Sequence, residues 1–353
     1  MEILNKTARY ASLLILPLLV SGCYEDVALE LASDPVLCLN SIITAGEPVE
    51  ARVTHTWYYS QVYTYDNNHK GDVTVRDAEV RLYADGELKE TLTFTDDLTY
   101  RGSYCPAPGE TIRIEAVSPV YGDASGEVVI PPSPEVGTPE YTATATGCTV
   151  YRSDDDPYTQ DVVNLYLMLD ITLPLGGGDG SLLYYIGCST MTASDEGGLS
   201  NSELWLWDFN YNAEPLFSEH ISGLEAVFGG EPEDNLFFTS HSFAGRTYPL
   251  RLIFNGGRYS SYTFTDEDSG HHASVRIGIS SVSQSYYNWM MYSWKVDNGI
   301  NGTLGDIGYA EDMAAFSNVS THAGIIAART VEYRDVDLHD FIDEQVKKAT
   351  EEN

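Results

Sequence analysis

Val80-Arg81-Leu82-Tyr83-Ala84-Asp85-Gly86-Glu87-Leu88-Lys89-Glu90-Thr91-Leu92 is the stretch that decides the fold. Val80-Arg81-Leu82-Tyr83 and Leu88-Lys89-Glu90-Thr91-Leu92 read as two strands, and a period of two puts alternate side chains on opposite faces. Asp85-Gly86 between them is a hairpin signal, because both residues tolerate a positive φ. Working outward, the same alternation recurs. Val36-Leu37-Cys38-Leu39-Asn40-Ser41-Ile42-Ile43 is apolar and partly β-branched, and Val49, Ala51, Val53 and His55 alternate with Glu50, Arg52 and Thr54. Ile112, Ile114 and Ala116 face one way, Arg113 and Glu115 the other, and Val128-Val129-Ile130 closes the set. About seven short strands without a helical period predict an immunoglobulin-like β-sandwich over residues 35–131.

Pro131-Pro132-Ser133-Pro134 and Pro139 interrupt the pattern. Proline removes amide donors and favours extended spacers, so the domain boundary is expected here. Residues 140–353 form a larger β-rich domain, with strands at 162–172, 182–186, 204–207, 248–254 and 274–279. Gly176-Gly177-Gly178-Asp179-Gly180 has no lysine and no following helix, so it reads as a turn and not a phosphate cradle. Ser281 with Gln284 fits a capping box, and Val282, Tyr286, Trp289 and Met290 recur at helical spacing, predicting a helix near 282–296. A second helix is expected near 338–349, with Leu338, Phe341, Ile342 and Val346 on one stripe.

The first residues read as an address. Lys6 and Arg9 precede the apolar run Leu13-Leu14-Ile15-Leu16-Pro17-Leu18-Leu19-Val20, too short to span a bilayer, and then Ser21, Gly22 and Cys23. This resembles the lipobox of bacterial lipoproteins, which implies that residues 1–22 are a cleaved leader and that the Cys23 thiol carries lipid. Two or more acyl chains make a stable anchor where one does not. Residues 23–34 are then a tether, and Tyr24-Glu25-Asp26 resembles the acidic export tag of surface lipoproteins in Bacteroidota.

The chain of 353 residues carries 19 basic and 53 acidic side chains, a net charge of −34. Such a surface repels phosphate backbones, which excludes a nucleic-acid partner. Cys38, Cys105, Cys148 and Cys188 remain besides Cys23. In an exported protein an even count permits two disulfides. Cys38–Cys105 and Cys148–Cys188, one pair on each side of the boundary, are the expected pairs, with four buried free thiols as the alternative.

Trp57-Tyr58-Tyr59-Ser60-Gln61-Val62-Tyr63-Thr64-Tyr65 is the most unusual stretch. On a strand, Trp57, Tyr59, Tyr63 and Tyr65 share a face, and flat aromatic faces stack on sugar rings or grip peptide side chains, so these four are the candidate ligand-binding residues. A strand with tyrosines on a half-buried surface is the plainer reading of the same stretch. Trp205 and Trp207 also share a face and are expected in the core. Asp154-Asp155-Asp156 and Asp266-Glu267-Asp268 lack a calcium-loop pattern, and adjacent His271-His272 point to opposite faces, so no metal and no cofactor are expected. Neither a Gly-x-Ser-x-Gly elbow nor a His-Glu-x-x-His pair occurs, and no catalytic residue is assigned.

Several segments in order resemble a known family. They are the lipobox, Glu79 to Gly86, Pro108 to Ala116, Val128-Val129-Ile130-Pro131-Pro132, Phe243-Ala244-Gly245-Arg246-Thr247-Tyr248-Pro249-Leu250, Ser283 to Tyr287, and Phe316-Ser317-Asn318-Val319 with Gly324-Ile325-Ile326. The set is similar to Bacteroidota outer-membrane lipoproteins catalogued as domain of unknown function four-two-four-nine. Members are often encoded beside SusC-type TonB-dependent receptors. The resemblance implies an outer-membrane lipoprotein facing the exterior, non-enzymatic, accessory to nutrient capture or import by such a receptor. A structural or adhesive surface protein is the alternative, and an acid-catalysed hydrolase the third.

Overall fold

The computed structural model describes residues 34–56, 73–151, 161–192, 202–218, 236–263, 273–298 and 316–351. The chain is mainly β, as its alternation predicts. Among the described residues seven strands lie before the proline run: β1 (Leu37–Thr44), β2 (Glu50–His55), β3 (Glu79–Ala84), β4 (Glu87–Phe94), β5 (Tyr100–Arg101), β6 (Thr111–Ser118) and β7 (Gly122–Val129). The hairpin of β3 and β4 turns on Asp85 and Gly86, whose φ values are 51° and 81°. Leu37, Leu39, Ala51 and Val53 pack against Val80, Leu82, Ile112, Ile114, Ala124 and Val128 in one buried cluster. That cluster is the core of a two-layer sandwich.

Eight described strands follow: β8 (Glu140–Tyr151), β9 (Asp161–Gly176), β10 (Leu183–Thr192), β11 (Ser202–Phe209), β12 (Phe237–Thr239), β13 (Thr247–Thr263), β14 (Ala273–Val282) and β15 (Gly324–Asp337). Among the described residues the α-helices are α1 (Gln284–Asn298) and α2 (His339–Glu351). One sheet has four strands in the order β11-β13-β9-β8; the other has eleven, in the order β12-β10-β14-β15-β1-β2-β5-β4-β3-β6-β7. Alternate leucines of β9, from Leu165 to Leu175, pack with Leu250 and Leu252 of β13 against Val275, Ile277 and Ile279 of β14. α2 closes this second core through Ile342.

The strand order changes the expected division of the chain. In place of separate domains at 35–131 and 140–353, residues Val36–Asn353 form one compact unit. β15 pairs in parallel with β1, from Leu39↔Gly324 to Thr44↔Arg329, and antiparallel with β14. Successive side chains of β15 serve different cores. Ile326 and Ala328 enter the first sandwich, Ile325 and Ala327 lie under α1, and Val336 enters the second core. The proline segment is not a free spacer either. Thr330 donates its hydroxyl to the Pro131 carbonyl, Ser281 donates to that of Pro132, and Arg334 donates to those of Val136 and Gly137.

Both helices form near their expected positions. Ser281, expected to cap α1, is buried within β14, and Ser283 takes the role instead. Its hydroxyl accepts the Tyr286 N–H at 3.2 Å and the Ala328 N–H at 3.0 Å, so the cap also ties the helix to β15. No helix among the described residues is long and apolar enough to cross a membrane.

Candidate functional site

Trp205 and Trp207 lie on β11, an edge strand of the four-stranded sheet. Leu204 on the same strand is buried, which turns the two indoles outward. They are 64% and 47% exposed, so the core placement expected for them is overturned. Cross-strand register builds a platform around them. Trp205 sits opposite Arg258 of β13, and Arg258 sits opposite Tyr166 of β9, so the three stand in one row across three strands. Strands lie about 4.8 Å apart, which spreads the row over roughly 10 Å. Trp207 sits opposite Gly256, where β13 has a bulge between Phe254 and Gly257. A Cβ on Gly256 would overlap the Trp207 indole, so the glycine makes room for the ring. Tyr166 and Met168 on β9 add exposed surface to this face.

Hydrogen bonds hold the platform's cation in place. Arg258 donates through Nε at 3.1 Å and Nη2 at 2.8 Å to Asn164 Oδ1, which also accepts the Ser260 hydroxyl at 2.8 Å. The Trp205 indole N–H donates to Glu203 at 3.2 Å. Flat rings beside a fixed guanidinium can stack on a ring-shaped ligand and bond its polar rim. No helix among the described residues packs on this face; α2 joins the inner core.

A cleft of about 650 Å³ opens beside the platform, between β10 and β11. Leu204, Leu206, Phe254 and Val275 form its apolar floor, and Cys188, Ser189 and Thr190 one wall. Thr192 donates its hydroxyl to the Ser202 carbonyl at 2.8 Å and ties the two strands at one end. The Cys188 sulfur is open to the cleft, yet surrounding protein withholds the wider solvent and pushes its pKa up to about 12.

The structure forms neither expected disulfide. Cys38, Cys105, Cys148 and Cys188 are free thiols. Cys148 lies on β8 opposite Leu165, whereas Cys188 lies on β10 opposite Ile277 in the other sheet. Cys38 accepts a hydrogen bond from Asn40, and Cys105 donates to the Ser103 carbonyl. Of the other sequence candidates, Cys23, Trp57, Tyr59, Tyr63, Tyr65, Asp154-Asp155-Asp156, Asp266-Glu267-Asp268 and His271-His272 lie outside the described residues. Among the described residues no three His, Cys, Asp or Glu side chains gather as a metal site.

No family model matches the chain, and no curated protein matches it. Among solved structures it is similar to a Corynebacterium diphtheriae protein described as membrane anchored, at 13% identity and a TM-score of 0.18, over 72% of this chain and 56% of that one. It is also similar to BcpA, the major pilin subunit of Bacillus cereus, at 9% identity and a TM-score of 0.16, over 69% of this chain and 64% of that one. The chain spans less than two thirds of either structure, and TM-scores this low carry no argument about function.

Proposed function

We propose that this chain is a lipid-anchored lipoprotein of the bacterial outer membrane, facing the exterior, that captures a nutrient for a SusC-type TonB-dependent receptor and performs no chemistry itself. The observation that carries the reading is the outward pair Trp205 and Trp207, set in a row with Arg258 and Tyr166 on an uncovered sheet face. A tryptophan pair this exposed leaves much apolar ring surface to water, and two rings beside a fixed guanidinium suit a sugar or another flat, polar-rimmed nutrient. The lipobox at Leu19-Val20-Ser21-Gly22-Cys23 supports the anchor, and the ordered motifs shared with the Bacteroidota family support the receptor.

A carbohydrate array probed with the mature protein and with the Trp205→Ala/Trp207→Ala double variant tests the reading. The parent binds at least one glycan class, and the variant binds it at least tenfold more weakly with unchanged thermal stability. Tenfold corresponds to about 1.4 kcal/mol. Equal binding by both proteins removes the platform from the reading. Intact-mass measurement of the protein from native membranes tests the anchor, and an unmodified Cys23 overturns it. Attachment to host matrix with no receptor captured in a pull-down assigns the chain instead to adhesion.

A further inference from the structure

The strand β10 is ten residues long, but β12 is three and pairs only with Leu183, Tyr184 and Tyr185. On its other side β10 pairs with β14 along its whole length without a register shift. The Ile186 N–H points away from β14, to the Leu236 carbonyl at 3.2 Å. Backbone groups of an antiparallel strand alternate sides, so Cys188 and Thr190 also turn their N–H and C=O away from β14, toward the cleft. Across the cleft, β11 pairs only with β13 among the described residues. Among the described residues the cleft therefore has an unpaired strand edge at Cys188 and Thr190 on one wall, β11 on the other, and an apolar floor continuous with the core.

We propose that this cleft accepts an extended peptide segment of a partner protein, which adds to the free edge of β10 where β12 stops. Only a polypeptide backbone offers donors and acceptors at the repeat of Cys188 and Thr190. A small ligand satisfies one such pair, and an added strand satisfies both. Side chains on one face of the segment reach Leu206, Phe254 and Val275, so that face is apolar. Glu203 on the opposite wall accepts only the Trp205 indole and has no basic partner among the described residues. With a net charge of −34 on the chain, the segment carries lysine or arginine at that wall. The cleft borders the outer platform at Trp205, and the test below does not depend on glycan binding.

The probes are four synthetic heptapeptides, Lys-Thr-X-Thr-X-Thr-Lys, with X as valine, isoleucine, leucine or phenylalanine, and their N-methylated counterparts. Hydrogen exchange of the full mature chain is followed by mass spectrometry at saturating peptide. At least one unmodified peptide slows exchange in the Cys188–Met191 segment tenfold or more, and its N-methylated form does not. Thr190→Pro, which deletes an outward N–H but leaves the bonds to β14 intact, abolishes the protection without lowering the melting temperature. If none of the four peptides protects the segment, or if the N-methylated forms protect it equally, the proposal is overturned.

Discussion

Gly324 is the residue on which the join between the first and last strands depends. Its φ is 101°, and a Cβ there would overlap the backbone carbonyl of Leu39. Gly324→Ala therefore meets both a forbidden conformation and a rigid obstacle, and is expected to cost about 3 kcal/mol or more, read as a fall in the urea midpoint. Glu90 makes a different kind of contribution. Partial burial raises its pKa, but the N–H groups of Tyr104 and Ser103 and the Ser103 hydroxyl donate to it and outweigh that, leaving it below its ordinary value of 4.5. A depressed carboxyl stabilises the fold above 4.5, and the contribution is lost as pH falls through the folded-state value. Glu90→Gln is thus expected to cost about 1–2 kcal/mol at neutral pH, with the gap from the parent narrowing in acid. Denaturation curves at pH 7 and at pH 3 check the sign. At this scale the sequence was only half legible. Alternation correctly put Trp205 and Trp207 together on one face, but a period of two does not say which face meets water. Four cysteines permit pairings by count alone, and the strand register that sets Cys148 opposite Leu165 and Cys188 opposite Ile277 is invisible until the sheets exist.

Elements were more legible than their attachments. The Asp85-Gly86 hairpin, the alternating strands and the stripe of Phe341, Ile342 and Val346 on α2 all follow from local periodicity. Ile342 is fully buried in the second core, so Ile342→Ala is expected to cost about 2–5 kcal/mol. The start of α1 was misread by two residues because Ser281 and Ser283 both offer a hydroxyl. Tertiary partners distinguish them: the Ser281 hydroxyl goes to the Pro132 carbonyl, and Ser283 accepts the Ala328 N–H brought up by β15. Ser283→Ala leaves that donor and the Tyr286 N–H unsatisfied. A loss of about 1–2 kcal/mol is expected, with faster exchange at both amides.

For the whole molecule, the proline run suggested a seam, and the fold runs a strand past it. The reason lies in distance along the chain: no local pattern in Leu37–Thr44 announces a parallel partner at Gly324–Asp337. Because Ile326, Ala328 and Val319 complete the first core, residues 35–131 alone are expected to stay largely unfolded by circular dichroism and proteolysis. The full chain is expected to melt in one calorimetric transition. Two separated transitions would show that β15 does not couple the sandwiches.

The β1–β15 pairing also has a kinetic meaning. A chain synthesised from its amino end presents β1 and its antiparallel neighbour β2 early, yet the strand on the other side of β1 arrives only with residues 324–337. Contacts of such long sequence separation form slowly, because loop-closure entropy is lost before they reward it. Until those residues emerge, the polypeptide lacks the strand that completes its first core and ties it to the second.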